Sequence, residues 1–457
     1  MRWGKSVRRA FICMAAAALL IQGTGVMGGL FNTPAGVLVD ATGVLRTRTF
    51  SDPGGRLTRQ RRQEAIAALN ADVAKDSKLR KVSLNRLEAH LKALLDAGQA
   101  ETREMKYLAG LTRITHVFYY PESKDIVVAG PAEGFMEDLS GRAVGVKTGQ
   151  AILELQDLIV ALRAFSPTGE ATNVVSVSID PTKQGLANFQ QYLAQVGGAA
   201  RPGMERRLTA GMKEALGLQT VTIKGISPET HFAQVLVEAD YRMKLIGIEL
   251  ERPRTKITSY VSRANPRSVA RNAMQRWYFT PNYDTVVVSD DHLAMELRGD
   301  GVKLVSENEL VQAGGVRVDS KLKDAAAEAF AQSFTNNYGA LAKESPVYAQ
   351  MRNCIDLLIA SAYIQQQDFY AQSGWDLGVF ANEAEYPVQT LVAPVQVETA
   401  VNAIWKGHTL MTPIGGGVNI QPRKAVSEQF VKVDQAGEVA EARQAIQLPK
   451  NDRWWWD

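Results

Sequence analysis

Cysteine is scarce in this chain, whose 457 residues include only Cys13 and Cys354. Cys13 lies in an apolar N-terminal run that we expect to be removed, which would leave one thiol and no intramolecular disulfide. Cys354 recurs at helical spacing with Met351, Ile355 and Leu358, so we interpret it as a buried structural thiol rather than a nucleophile. The fold must therefore depend on its hydrophobic core, even in an oxidising compartment.

Sequence motifs for nucleotide binding and nucleophilic catalysis are also missing. The chain has no GxSxG elbow, no Walker loop and no GxGxxG after a strand. Gly415–Gly417 is a lone glycine run without the Lys-Ser/Thr of a phosphate loop, so we predict a tight turn or close backbone packing there. We expect no cofactor.

Histidine is sparse and scattered, which argues against a metal site. No two histidines stand at the spacing of metal ligands, and there is no cysteine cluster. The five histidines are His90, His116, His231, His292 and His408. We therefore predict neither a structural nor a catalytic zinc.

A strong net charge is missing from the part of the chain that we expect to remain after processing. The formal net charge is +4, from 52 basic and 48 acidic residues, but Arg2, Lys5, Arg8 and Arg9 precede the first apolar run. Without them the two signs balance. Because nucleic-acid binding depends on basic surfaces, we expect no nucleic-acid partner.

The N-terminus has the pattern of an export signal. The basic stretch MRWGKSVRR precedes the apolar run AFICMAAAALLI, and small residues follow. The run is shorter than the roughly 20 residues of a transmembrane helix. We predict a signal peptide over residues 1–28, with export to the periplasm, the cell envelope or the medium and membrane contact only through this segment. Arg8-Arg9 also fits a twin-arginine signal, and an uncleaved anchor is the alternative to cleavage.

The densest secondary-structure signals lie between Gln219 and Glu307. Alternation predicts a strand over Gln219–Ile223, and apolar residues at three- and four-residue steps predict a helix from Glu229 to Gly247. Further along we predict a strand at 256–261, a helix from Pro266, and strands at 285–289, 293–297 and 302–305.

Comparable signals elsewhere lead to an α+β fold class: two helix-backed mixed or antiparallel sheet units plus a helical C-terminal region. We expect a hairpin at 35–49, helices over 57–97 with Ser83 as a cap, and the longest helix from Pro346 to about Tyr370. We divide the chain into an N-terminal hairpin and helical segment (29–110), two strand-and-helix units (111–200 and 215–310), the helical region (316–422) and a polar tail (423–457). We expect the tail to be mobile except for its tryptophans.

The one compact acid–histidine group is Asp290-Asp291-His292. Aspartate favours turns, so we predict a hairpin turn between two strands. The alternative is a catalytic site in which the group supplies a general base and its orienting partner, or binds a cation through oxygen atoms.

Two further groups are candidates for partner binding. His231, Glu238 and Arg242 fall on one side of the predicted central helix, flanking its apolar face. We interpret them as a solvated face, with a polar partner-binding edge as the alternative. Trp454–Trp456 either anchors at a membrane interface or partner groove, or packs back on the protein's own surface.

Several long stretches resemble a family of exported planctomycete proteins that is defined only as a domain of unknown function. They include SKLRKVSLNRLEA, MKYLAGLTRITHVFYYPE, IVVAGPAEG, LQTVTIKGISPETHFAQVLVEADYRMKLIGI, AMELRGDGVKLV, SPVYAQMRNCIDLLIASAYIQQQDFY and VETAVNAIWKGHTLMTPIGGGVNIQP. The resemblance covers about Val37 to Pro422 and leaves out the tail after Arg423. It implies export and one shared architecture, and it brings no activity, cofactor or site residues.

These observations favour a non-enzymatic envelope protein that binds an unknown macromolecule or associates with itself. The alternative is a metal-independent hydrolase or another enzyme with an unrecognised acidic site. A deep pocket that gathers Asp, His and Arg from separate segments would favour the enzyme, and a flat apolar patch would favour binding.

Overall fold

The computed structural model describes residues 35–196, 200–265, 273–282, 286–311, 317–319, 324–406, 409–411 and 415–457. Over these residues the chain forms two large sheets and many helices, which confirms the predicted α+β class. The predicted signal segment and His408 lie outside the described residues, as do most of the loop before Gly415 and the start of the helix expected from Pro266.

The larger sheet has nine strands in the described part of the chain and is mixed. Its two parallel pairs are β2 with β15 and β10 with β18, and the other neighbours are antiparallel. In spatial order the strands are β1 (Ala35–Val39), β2 (Val44–Thr49), β15 (Gln396–Val397), β9 (Gln219–Lys224), β8 (Val175–Pro181), β18 (Gly417–Ile420), β10 (Ala273–Pro281), β13 (Val302–Val311) and β14 (Arg317–Asp319).

The smaller sheet has seven strands among the described residues and ends in two-residue strands on both sides. In spatial order these are β19 (Lys432–Val433), β11 (Val286–Val288), β12 (Ala294–Leu297), β4 (His116–Tyr120), β5 (Asp125–Ala132), β3 (Ser77–Ser83) and β20 (Trp455–Trp456). Two separate ribbons pair β6 (Phe135–Glu137) with β7 (Ala143–Gly145) and β16 (Ile404–Lys406) with β17 (Thr409–Met411).

Both large sheets take strands from each of the segments 111–200 and 215–310. The first segment supplies β4 and β5 to the smaller sheet and β8 to the larger one. The second supplies β9 and β10 to the larger sheet and β11 and β12 to the smaller one. The two predicted units therefore do not each form a sheet of their own, because strand pairing crosses between them.

The helices pack on these sheets and on one another. They are α1 (Arg56–Ala68), α2 (Leu84–Asp96), α3 (Arg103–Lys106), α4 (Leu155–Ala164), α5 (Lys183–Val196), α6 (Glu205–Leu216), α7 (His231–Gly247), α8 (Tyr260–Arg263), α9 (Ala325–Asn336), α10 (Tyr338–Glu344), α11 (Pro346–Gln366), α12 (Phe369–Ser373), α13 (Pro422–Ala425) and α14 (Glu438–Gln444). In the described ranges, no helix combines the length and apolar character needed to cross a membrane.

Helix α11 forms the centre of the core, and it begins at Pro346 as predicted. Every residue from Val347 to Ile364 is buried, including Cys354, which confirms the structural reading of that thiol. Burial raises the pKa of Cys354 well above its ordinary value, so the thiolate is disfavoured. Helices α4 and α7 lie against α11 and cover it.

Two predictions in the central stretch are wrong. Residues 256–261 do not form a strand, because Ser259 instead caps the short helix α8 by accepting a hydrogen bond from Ser262 N at 3.1 Å. The helix expected from Pro266 is strand β10 where the structure describes it. Its aromatic residues favour a strand, and Ala273–Pro281 pairs along its whole length with β13.

Two other differences concern the first helical segment and the tail. Strand β3 interrupts the helices expected over 57–97, and Ser83 caps α2 from the end of that strand, as predicted. The tail is not a loose extension, because α14 and the strands β19 and β20 pack on the smaller sheet. The partners in these pairings lie far apart in the chain, so local sequence patterns do not predict them.

Candidate functional site

The acidic turn lies between β11 and β12, as predicted. Asp291 accepts hydrogen bonds from Ser289 Oγ at 2.6 Å and from an Arg443 guanidinium nitrogen at 3.1 Å. Burial opposes its charge, but these bonds keep the pKa of Asp291 below its usual value. His292 adopts a left-handed backbone with φ of 55°, and Asp290 is exposed. The turn thus uses Asp291 to hold its own shape and α14.

The polar side of α7 is not a solvated face, contrary to the sequence interpretation. His231 Nδ1 lies 3.0 and 2.9 Å from the two carboxylate oxygens of Asp157 on α4. Its Nε2 lies 3.8 Å from Glu154 Oε1 and 3.5 Å from the amide nitrogen of Gln350 on α11. The imidazole therefore joins α7 to α4 and lies beside α11.

Charge on His231 follows from these partners. Burial opposes protonation, but the nearby carboxylates of Asp157 and Glu154 outweigh it and raise the pKa of His231 to about 9. At neutral pH the side chain is an imidazolium, whose two N–H groups both donate. It can act as a proton donor or as a structural cation, and it is a poor general base.

About two turns further along α7, Glu238 is buried between two arginines. Arg142 forms an ion pair with one of its oxygens, and Arg242 lies 3.4 Å from the other. Arg242 also binds Glu251 through a carboxylate oxygen at 2.7 Å, so the charges alternate along a chain. Removing one member of a buried ion pair strongly destabilises a protein, so this series of alternating charges fixes the position of α7.

A second pair on α7 is more deeply buried. Lys244 Nζ lies 3.2 Å from Asp240 Oδ2 and donates to the Ile179 carbonyl at 3.0 Å. Burial raises the pKa of Asp240 to about 6 and lowers that of Lys244. A Cβ added at Gly416 would lie 2.5 Å from Lys244 Cε, so the glycine run packs its bare backbone on this pair. Close backbone packing was one of the two readings of that run.

The three tryptophans pack back on the protein. Each is 7% exposed, and β20 pairs antiparallel with β3 as the last strand of the smaller sheet. The ring of Trp455 lies between two guanidinium groups, those of Arg80 at 4.8 Å and Arg453 at 4.1 Å from its centroid. This arrangement closes one edge of the smaller sheet.

Arg80 itself is fully buried and extensively bonded. Its Nε and one terminal nitrogen donate to the two carboxylate oxygens of Asp457 at 2.8 and 3.1 Å. The terminal nitrogens also donate to the backbone carbonyls of Val73, Ala109, Asp72 and Lys75. No sequence signal indicated this role, because Arg80 lies in a stretch whose pattern predicts a helix.

Metal binding finds no support among the residues that the structure describes, where no group of three His, Cys, Asp or Glu side chains could hold an ion. One surface cleft that the sequence did not suggest lies at the end of α11. Tyr370 and Trp375 line it, together with Asp368 and Asp376. Its residues are close in sequence, but two of the left-handed positions that shape it, Asp368 and Leu377, are not glycines. The sequence therefore does not mark them as turns.

Among the comparisons with known proteins, one family model matches a part of this chain. Neither the curated proteins nor the solved structures include a significant match to the chain. The matched part runs from within β8 to the first residue of α8, so it includes α7 and its buried charges. Residues 177–260 match the family described as "Protein of unknown function (DUF1598)".

Proposed function

We propose that this chain is an exported, non-enzymatic protein of the cell envelope that binds a macromolecule or assembles with itself. The observation that carries the proposal is the state of the groups that would move protons. His231 and Asp240 are held in ion pairs between helices or along one helix, and Glu238 pairs with Arg242 on its own helix and with Arg142. Such pairs position helices, whereas a catalytic base needs an unprotonated group facing its substrate.

The balanced charge of the chain after the expected signal segment supports the same proposal. A protein without a dominant charge is not steered strongly towards nucleic acid. Trp454–Trp456 are occupied within the fold, so a partner surface must lie elsewhere.

The competing function is a metal-independent enzyme. The observation in its favour is that folding brings Asp157 and His231 together from separate segments, with the charge of Arg142 acting on His231. A carboxylate that orients an imidazole is a common catalytic arrangement. Because the pKa of His231 is about 9, this pair would serve as a general acid at neutral pH.

The test is chemical cross-linking of intact native cells that produce the full chain, followed by envelope fractionation and mass spectrometry. We expect a chain without residues 1–28 in the envelope fraction, cross-linked to itself or to one reproducible envelope component. The Asp157→Asn variant is the control for catalysis, and it should keep the same cross-links. An intact N-terminus on cytosolic protein would contradict export, and a turnover that Asp157→Asn abolishes in folded protein would favour the enzyme.

A further inference from the structure

The cleft at the end of α11 has the composition of a binding site. It has a volume of about 250 Å³ and opens to the surface where α11 gives way to α12. Tyr370 and Trp375 are buried and line it, while Asp368 and Asp376 are exposed at its rim. An aromatic floor with a few polar groups above it is typical of small recognition pockets.

The aromatic floor is firmly held. The rings of Tyr370 and Trp375 have centroids 5.9 Å apart, and Trp375 packs edge-on against Phe380 at 6.2 Å. The Tyr370 hydroxyl has no hydrogen-bond partner in the described part of the chain, although the residue is only 3% exposed. An unpaired buried hydroxyl is costly, so a ligand group that bonds it would gain stability.

The backbone around the cleft is strained in a way that shapes its rim. Asp368 and Leu377 have left-handed φ values of 56° and 76°, and Gly374 between them has φ of 71°. Left-handed non-glycine residues are uncommon, and they cluster at ligand sites where the surrounding structure enforces them. Asp368 and Asp376 are placed by these turns rather than by a regular helix.

Charge determines what the cleft accepts. Its lining contains two carboxylates and no basic side chain. Asp376 accepts a hydrogen bond from Gly378 N at 3.0 Å through one oxygen. A third carboxylate, Glu88, binds Val379 N at 2.9 Å, and its pKa is raised by burial and further by the charge of Asp376. A cation in the cleft would relieve this repulsion and meet the aromatic rings.

We propose that the cleft binds the lysine or arginine side chain of a polypeptide partner. Its volume is below the range of about 300–1,000 Å³ that is usual for whole small ligands, so it suits one side chain whose stem continues outward. The ammonium or guanidinium group lies at the aromatic floor beside Tyr370 and Trp375, where it can donate to the Tyr370 hydroxyl, and the aliphatic stem passes outward between Asp368 and Asp376, whose charges attract the cation. The inference rests on the proposed binding function and names the chemistry of its partner.

The test is a titration of the full chain, followed by calorimetry or ligand-observed NMR. The probes are N-acetyl-lysine methylamide, N-acetyl-arginine methylamide and the uncharged N-acetyl-glutamine methylamide, with choline and glucosamine as cations from other sources. We expect one of the two basic amino-acid probes to bind best and the glutamine probe at least about tenfold more weakly. Affinity should fall as salt screens the carboxylates.

The variants are isosteric, so the fold is preserved. Asparagine tolerates the left-handed backbone at Asp368 and can still accept the Gly378 N–H at position 376. Asp368→Asn with Asp376→Asn should weaken binding of the cationic probe by about tenfold, because the two carboxylates supply the charge that attracts it. Asp290→Asn, a matched exposed carboxylate in a turn, should leave binding unchanged.

Other outcomes overturn the inference. Equal binding of the uncharged probe, tighter binding of choline or glucosamine, or unchanged affinity in the double variant would each do so. If the double variant keeps its envelope cross-links, the binding function stands and only this cleft is excluded. If neither the parent chain nor the variants form cross-links but the cationic probe binds, the proposed envelope role is wrong and the proposed cleft site still stands.

Discussion

Arg80 and His231 are both cations held within the fold, but they are stabilised by different kinds of partner. Arg80 donates mainly to backbone carbonyls, and its carboxylate partner Asp457 is 41% exposed. His231 is held by Asp157 and Glu154, both largely buried. Backbone carbonyls do not titrate, and arginine keeps its charge in any folded protein, whereas imidazole and carboxyl groups lose or gain protons.

The difference separates two ways of fixing a chain segment. At the edge of the smaller sheet, Arg80 fixes strand β3 mainly through backbone carbonyls, which do not titrate, and it reaches the tail through the carboxylate of Asp457. In the core, His231 ties α7 to α4 with a charge that exists only below its raised pKa. We therefore expect rising pH to loosen the helical core before it loosens the sheet edge.

The largest expected effect comes from Arg80→Met. The substitution leaves the carbonyls of Val73 and Ala109 without their donor inside the core, and each unpaired buried group costs about 1–3 kcal/mol. We expect the free energy of unfolding to fall by about 3–5 kcal/mol in denaturant titrations. Lys78→Met, at an exposed position of the same strand, should change it by less than about 0.5 kcal/mol. Equal losses of stability at the two positions would show that the buried hydrogen bonds of Arg80 do not stabilise the sheet edge.

The second prediction concerns pH. The pKa of His231 rises from 6.5 to about 9 on folding, so protonation stabilises the folded state. That contribution is fully present below about pH 6.5 and is lost as pH rises through about 9. Between these limits the stability of the parent chain should fall by about 2–3 kcal/mol more than that of His231→Gln.

The control for this pH dependence is His90→Gln. His90 lies on α2, where its ring contacts the backbone carbonyl of Asp452 rather than a carboxylate. That variant should follow the pH profile of the parent chain. A profile of His231→Gln that is parallel to the parent's would show that His231 is not the titrating group.

The third prediction tests how closely the glycine loop packs on the buried Asp240–Lys244 pair of α7. An alanine at Gly416 would place its Cβ 2.5 Å from Lys244 Cε and 2.9 Å from Asp240 Oδ1. We expect Gly416→Ala to destabilise the protein by about 1–3 kcal/mol, as measured by thermal or denaturant unfolding. Gly36→Ala is the matched control, since its Cβ would meet nothing closer than 3.3 Å. A neutral Gly416→Ala would mean that the glycine loop can move away from the pair.

Local patterns predicted much of the fold, because the elements they found are stabilised locally. The helix over α7 and the start of α11 follow from apolar spacing and a proline at the first turn. The turn before β12 follows from its aspartates, and Asp40 closes the first hairpin by accepting from Thr42 N at 2.9 Å.

The candidate site was predicted poorly, because its partners lie far apart in the chain. His231 and Asp157 are 74 positions apart, and Glu238 and Arg142 are 96 apart. Without those partners, a polar stripe beside an apolar face looks like a solvated surface. Strand β10 was missed for a related reason. Its apolar residues are spaced as in a helix, but its aromatic residues also favour a strand, and pairing with the distant β13 decides the outcome.

The smallest expected effect is at Asp457, the exposed partner of Arg80. Asp457→Asn removes the charge but leaves an oxygen that can accept one of the Arg80 hydrogen bonds, and the carbonyl partners are untouched. Because Asp457 is 41% exposed, water screens the lost charge, and we expect a loss of about 0.5–1 kcal/mol in denaturant titrations. The variant should keep Trp455 buried, which its near-ultraviolet circular dichroism reports. A loss as large as that of Arg80→Met would mean that the carboxylate, rather than the backbone carbonyls, holds the arginine.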